Sequence, residues 1–158
     1  MKVLTVSLAG FILLSGCSGP FGPSRDGAIE EAIEQVRETM EIALPDIRHP
    51  EPYRYEDAGD CALVPGLNSS KETLRYQVEV PLPEGDDGRE RQAKALKHWI
   101  DKGGEPRKLS YQTESHEVNY RGGSIIAFAM PTRGRKSDLP GQSSFYIVAT
   151  TPCIPKGE

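Results

Sequence analysis

The sequence predicts an α+β domain with the element order α-β-α-β-β-β, in which two helices pack on one face of an antiparallel sheet. Two stretches repeat apolar residues at helical spacing, and four others have the alternating or continuous apolar character of strands. Because the last three strands follow one another without a helix between them, they favour an antiparallel meander over parallel crossovers.

The first helix is predicted over residues 27–44, where apolar residues recur every three or four positions between glutamates. The residues of this stripe are Ile29, Ile33, Val36, Met40 and Ala43. Ser24 or Asp26 can cap the start, and Pro45 ends the helix. A membrane-surface helix is the alternative, but the polar face of such helices carries lysine rather than glutamate. The stripe is therefore expected to cover a sheet.

The first strand is predicted at Thr73 to Val80, where apolar and polar residues alternate. Its apolar face consists of Leu74, Tyr76, Val78 and Val80. Residues 45–70, before it, are rich in proline and glycine and predict an irregular connection with at most a short strand near Cys61 to Val64. The acidic loop 84–88, after it, lacks the full ligand set of a calcium loop and is expected to be a solvated turn.

The second helix is predicted from Arg89 to Lys102 and ends at the pair Gly103-Gly104. Its buried stripe is expected to contain Ala93, Leu96, Trp99 and Ile100. Trp99 is expected to pack in the core, with ligand stacking as the alternative.

The remaining strands are predicted at Lys108 to Glu114, Ser124 to Met130 and Ser143 to Thr151. Residues 116–120 either continue the first of these or form a separate strand. Arg121-Gly122-Gly123 has the composition of a hairpin turn. Because the run after that turn is almost entirely apolar, we expect it to lie centrally in the sheet.

The N-terminus resembles the signal of a bacterial lipoprotein. Lys2 precedes an apolar run that is too short to span a membrane as a permanent helix, and Leu14-Ser15-Gly16-Cys17 resembles the lipobox of that family. The resemblance implies that residues 1–16 are removed and that Cys17 is lipidated, here with palmitate-type chains. An ordinary secretory signal or an uncleaved anchor is the alternative. Residues 17–26 then form a lipidated, flexible tether rich in glycine and proline, and residues 27–158 form one α+β domain.

The layout is similar to that of small uncharacterised actinobacterial envelope lipoproteins. This resemblance implies attachment to the extracytoplasmic face of the cell membrane. The chain has a formal net charge of −4, which argues against nucleic acid as a partner, because nucleic-acid binders carry basic surfaces.

Three cysteines occur in the chain. With Cys17 assigned to lipid, Cys61 and Cys153 remain as a pair in an exported, oxidising setting, which predicts a disulfide bond between them. Two reduced, buried thiols are the alternative. A shared metal site is less favoured, because no Cys-x-x-Cys or His-x-x-x-His spacing accompanies the pair. We expect no metal and no cofactor.

No catalytic motif was found around the three histidines, His49, His98 and His116, which are scattered along the chain. The one concentrated basic feature lies in the polar loop 131–142, at Arg133, Arg135 and Lys136. These side chains are candidates for contact with anionic headgroups, a cell-wall polymer or an acidic partner, or they are a solvated loop.

These observations favour a non-enzymatic interaction or binding module, held to the membrane by lipid, with an envelope protein as a possible partner. An envelope hydrolase acting on cell wall or lipid is the first alternative, and it predicts a concave pocket that holds a histidine or paired carboxylates. A small-ligand carrier is the second, and it predicts a cavity between the apolar face of the sheet and a helix.

Overall fold

The structure is a computed structural model that describes residues 24–61, 69–108, 116–131 and 143–157. Within these ranges it has two helices and one antiparallel sheet of seven strands. The helices are α1 (Arg25–Ala43) and α2 (Arg89–Asp101). The strands are β1 (Tyr53–Asp60), β2 (Lys71–Pro81), β3 (Glu105–Lys108), β4 (His116–Tyr120), β5 (Gly123–Pro131), β6 (Ser143–Thr150) and β7 (Ile154–Pro155). The predicted α+β class is confirmed.

The sheet order is β1-β2-β6-β5-β4-β3, with β7 paired to the start of β2. Strands β2, β6, β5 and β4 therefore lie inside the sheet, and β5 has the interior position that its apolar character predicts. Strand β2 alternates as expected, with Leu74, Tyr76, Val78 and Val80 buried. Both helices pack on one face of the sheet: α1 lies mainly on β6 and β2, and α2 lies mainly on β5 and β4.

Strands β1, β3 and β7 were not predicted. Residues 53–60 were expected to be irregular, yet they pair with β2 along a register that is interrupted between Tyr55 and Gly59. Strand β3 begins at Glu105, earlier than the strand predicted from Lys108, and residues 109–115 lie outside the described part of the chain. Strands β1 and β3 lie at the edges of the sheet, and β7 has only two residues. Such strands form because they pair with a neighbouring strand, and their own sequences need not alternate.

The buried stripe of α1 runs through small residues. Ala28 and Ala32 are buried together with Val36, Met40 and Ala43, whereas Ile29 and Ile33 are only partly buried at the side of the stripe. The predicted stripe is therefore confirmed at Val36, Met40 and Ala43, whereas Ile29 and Ile33 pack against the core only from its side. Alanine allows the helix axis to approach the sheet closely, so the isoleucines cover the flank instead.

The prediction for α2 was correct at Trp99, which is 2% exposed, correct in part at Leu96, which packs against the core, and wrong at Ala93 and Ile100. Its buried residues are Gln92, Ala95 and Trp99, at positions i, i+3 and i+7. Leu96 is only partly buried, Ala93 is exposed and Ile100 is 41% exposed. The packing of the large indole on the sheet sets the rotation of the helix, because Trp99 has far more apolar area to bury than the other residues.

The ends of the helices follow the sequence signals. Ser24 caps α1, where its hydroxyl accepts a hydrogen bond from the Gly27 N–H. Helix α2 ends in a Schellman motif: Gly103 adopts φ +94°, its N–H donates to Ile100 O, and the Gly104 N–H donates to Trp99 O. This motif fixes the last turn of α2, including Lys102.

The turn between β4 and β5 is a two-residue hairpin loop, as predicted. Arg121 and Gly122 have φ values of +50° and +82°, and Tyr120 pairs with Gly123. Positive φ at both loop residues defines a type I′ turn, whose twist matches that of the flanking strands. The turn places Tyr120 and Arg121 beside α1.

The predicted disulfide bond between Cys61 and Cys153 is present, with a Cα–Cα distance of 6.0 Å. It joins the residue after β1 to the residue before β7. The C-terminal end of the chain is also fixed by Arg25, which donates to Glu72 at 2.7 Å and to the carbonyl oxygen of Pro155.

Candidate functional site

A cleft of about 570 Å³ lies between α1, the end of α2 and the β4–β5 turn. We call it the α1–α2 cleft. It is lined by Gly27, Glu30, Glu31, Glu34, Gln35, Glu38, Trp99, Lys102, Tyr120 and Arg121. Its volume is within the range of small-ligand sites in proteins. Three separate elements form its walls, so the cleft exists only in the folded chain.

One wall carries a ridge of carboxylates. Glu30, Glu34 and Glu38 follow one another at four-residue spacing on α1, which places them on the same face, about 6 Å apart along the axis. Glu31 lies beside this ridge. Like charges four residues apart destabilise a helix by a few tenths of a kcal/mol per pair. A cation in the cleft would remove that repulsion.

Two cations of the protein already lie at the cleft. Lys102 Nζ donates to both oxygens of Glu38 at 2.7 and 2.8 Å, and Arg121 donates to Glu31 at 3.2 Å. His98, outside the lining, lies with Nε2 2.8 Å from Glu38. Partial burial raises the pKa of Glu38, but the hydrogen bonds from Lys102 and His98 outweigh it, so the pKa lies below its ordinary value. Glu38 is therefore a carboxylate at neutral pH.

The other carboxylates of the ridge are largely unpaired. Glu30 has no hydrogen bond or ion pair with any described residue, and Glu34 has only Arg37 at 4.0 Å, which itself binds Glu51 at 2.8 Å. The lining contains four glutamates, one lysine and one arginine, so two negative charges remain in excess.

The base of the cleft is aromatic. The rings of Trp99 and Tyr120 lie 5.1 Å apart between centroids, at an angle of 56°. Lys102 Nζ lies 4.9 Å from the Trp99 ring centre, and Arg121 Cζ lies 5.1 Å from that of Tyr120. Cations are attracted to the negative face of an aromatic ring. Each of the two cations thus contacts both an aromatic ring and a carboxylate. The same two kinds of group can bind the amine of a ligand.

A buried amide completes the wall. Gln35 lines the cleft and is 6% exposed. Its main-chain carbonyl accepts from Thr39 Oγ1 at 2.6 Å, but among the described residues its side-chain amide has no hydrogen-bond partner. An amide buried without a partner costs about 1–3 kcal/mol. A group of this kind is explained by strain, by a functional role, or by a bound water, ion or ligand.

The residues predicted from sequence to be functional lie elsewhere. Cys17, Arg133, Arg135 and Lys136 are outside the described ranges, so their predicted roles stay predictions. His49 Nε2 lies 2.8 Å from the carbonyl oxygen of Leu44, just after α1, and His98 contacts Glu38. For His116 only the backbone in β4 is described. The structure does not bring the three histidines together in one described site.

The cleft residues were missed by sequence reasoning. The glutamates of α1 were used only as evidence against a membrane-surface helix, although their four-residue spacing was a signal that they share one side of the helix. No signal identified Gln35, because its burial depends on the packing of α1. Across the described ranges, no group of three or more histidine, cysteine, aspartate or glutamate side chains has the arrangement of a metal site.

Comparison with protein-family models, with curated proteins and with solved structures returned no match. The helices in the described part of the chain are not long and apolar enough to cross a membrane.

Proposed function

We propose that this chain is a lipid-anchored, extracytoplasmic binding module that holds a cationic ligand in the α1–α2 cleft. The anchor rests on the Leu14–Cys17 motif. Two or more acyl chains on Cys17 would hold the protein stably on a membrane. A tether of roughly ten residues reaches at most about 35 Å, so the cleft would operate close to the bilayer surface.

One observation carries the choice of ligand: the cleft has more carboxylates than cations and has an aromatic base. Glu30 lacks a partner among the described residues, and Glu34 has a distant, solvent-exposed one. An incoming ammonium or guanidinium group would meet these carboxylates and the partly exposed ring of Tyr120. Both interactions favour a positive charge and disfavour an anion.

A hydrolase is the second candidate, because paired carboxylates in a concave site can act as a general acid and base. The general acid of such a pair needs a raised pKa. The pKa of Glu38 is shifted in the opposite direction. The lining also contains no serine, threonine, cysteine or histidine that would act as a nucleophile or a proton shuttle. These features favour binding over catalysis.

Ligand binding is tested with the full chain purified in detergent and spermine as the probe, by calorimetry at low salt. We expect wild-type protein to bind spermine, and the double variant Glu30→Gln/Glu34→Gln to bind at least fivefold more weakly. Glu41→Gln is the matched control, because Glu41 is exposed on the same helix but is not part of the cleft. Absence of spermine binding, or an equal loss in the control, would exclude the cleft as a cation site.

The anchor is tested separately in the native host. Cells are labelled with palmitate, fractionated and probed for the protein. Wild-type protein is expected in the membrane with label, and Cys17→Ala is expected without label and outside the membrane fraction. A labelled or membrane-bound Cys17→Ala protein would contradict lipidation at this residue.

A further inference from the structure

We infer that the ligand of the α1–α2 cleft is a basic peptide segment, bound in an extended conformation along α1, with lysine or arginine at alternate positions. This inference rests on the proposed function of the cleft and deepens it by assigning the chemical class of the ligand.

The spacing of the carboxylates supports this ligand. Glu30, Glu34 and Glu38 are separated by about 6 Å per step, from the 1.5 Å rise of a helix. In an extended peptide, residues i and i+2 point to the same side about 6.7 Å apart. The difference is less than 1 Å per step, so two long basic side chains can reach Glu30 and Glu34, while Glu38 is already bound by Lys102.

An extended segment differs from a helical one in its backbone. The peptide groups of a helix are paired within the helix itself, whereas those of an extended segment are free to bind a side chain of the cleft.

Gln35 distinguishes a peptide from a simple polyamine. Its side-chain amide offers both donors and an acceptor, is nine-tenths buried, and has no hydrogen-bond partner among the described residues. A peptide group also offers one donor and one acceptor, so it can bind both the oxygen and the NH₂ group of Gln35. A fully protonated polyamine offers only donors and would leave the NH₂ group of Gln35 without an acceptor.

The test compares two synthetic peptides of identical composition, binding to the full chain in detergent at low salt. The first is acetyl-Gly-Lys-Gly-Lys-Gly-Lys-Gly-amide, and the second is acetyl-Lys-Gly-Gly-Lys-Gly-Gly-Lys-amide, which has no two lysines at alternate positions. We expect the alternating peptide to bind about fivefold more tightly, because only its lysines follow the ridge. Equal affinities would overturn the inferred extended arrangement.

Gln35→Met supplies the second readout, since methionine is of similar size but makes no amide hydrogen bond. We expect this variant to bind the alternating peptide about fivefold more weakly and spermine less than twofold more weakly. The free variant should unfold at a higher denaturant concentration than wild type, because an unpaired buried amide is removed, so lost binding would not reflect lost folding. Unchanged peptide affinity would overturn the role of Gln35.

The outcomes separate this inference from the proposed function. If spermine binds and the two peptides bind equally well, the cleft is a cation site, and the inference of an extended peptide ligand is wrong. Failure of spermine and of both peptides to bind rejects the site itself.

Discussion

Two buried side chains show how single residues connect the helices. Trp99 Nε1 donates to Thr39 Oγ1 at 2.9 Å, and Thr39 Oγ1 donates to the carbonyl oxygen of Gln35 at 2.6 Å. Thr39 and Trp99 are both almost fully buried. One hydroxyl thus satisfies the indole N–H of α2 and fixes the turn of α1 that carries Gln35.

Thr39→Val is expected to destabilise the protein by about 1–3 kcal/mol, because the shape is kept while the indole N–H loses its acceptor in a buried site. Chemical denaturation monitored by tryptophan fluorescence measures the change. Thr39→Ser keeps the hydroxyl and should cost clearly less. Equal destabilisation by the two substitutions would show that the hydrogen bond from Trp99 to Thr39 does not account for the loss of stability.

Tyr146 lies on the face of the sheet opposite the helices, where its ring stacks on Phe128 with centroids 5.2 Å apart. Burial, followed by a hydrogen bond and the negative charge of Glu79, raises the pKa of Tyr146 to about 12. A tyrosine with a raised pKa in the folded state adds stability below pH 10, and this contribution is lost as the pH rises toward 12.

Glu79→Gln should lower the pKa of Tyr146 toward 10, because the neighbouring negative charge is removed while the burial remains. Ultraviolet absorbance of tyrosinate over pH 9–13, with Tyr146→Phe subtracted, isolates this group. A titration that is unchanged in Glu79→Gln would assign the shift to burial alone.

At the scale of elements, Arg91 holds the start of α2 against the end of α1. Its guanidinium donates to both oxygens of Asp46 at 2.6 and 2.9 Å, to Asp86 at 2.7 Å and to the carbonyl oxygen of Ala43 at 3.0 Å. The side chain is 15% exposed. The hydrogen bonds from Arg91 lower the pKa of Asp46 to about 2. The fork geometry of arginine allows one side chain to bind all these acceptors.

Arg91→Met should destabilise the protein by about 1–3 kcal/mol at neutral pH, through the loss of several charge-assisted hydrogen bonds. Because the pKa of Asp46 is depressed, its contribution is present above pH 4 and is lost as the pH falls toward 2. The difference in stability between wild type and Arg91→Met should therefore shrink over that interval. Thermal melts at pH 7, 4 and 2.5 measure it, and a constant difference would contradict the assignment to Asp46.

At the scale of the whole molecule, the disulfide bond closes a loop with a sequence separation of 92 residues. The loop contains α2 and the strands β2, β3, β4, β5 and β6, whereas α1, β1 and β7 lie outside it. Cross-linking such a loop removes conformational freedom mainly from the unfolded chain.

Replacing both Cys61 and Cys153 by serine should lower the free energy of unfolding by about 4–5 kcal/mol, from the entropy of closing a loop of this length. Urea denaturation of wild type and the double variant measures this loss. Wild type with reductant should match the variant. Equal stability with and without the bond would show that the chain is already held by its sheet contacts.

The features that could be predicted from sequence depend on residues that are close together along the chain. The buried face of β2 follows from strict alternation, the end of α2 follows from Gly103-Gly104, and the β4–β5 turn follows from Gly122 after a strand. The stripes of the helices could be predicted only in part, because the contact with the sheet decided which of two adjacent residues, such as Ala28 or Ile29, faces inward.

The sequence by itself determined the α+β class, the alternation of β2, the helix caps and the pairing of Cys61 with Cys153. The existence and the lining of the α1–α2 cleft follow only from the tertiary packing. Its contacts join Glu38 to Lys102, 64 residues apart, and Glu31 to Arg121, 90 residues apart. Local patterns report forces between near neighbours, whereas a cleft depends on the angle and distance at which distant elements pack, and these are set by the whole core.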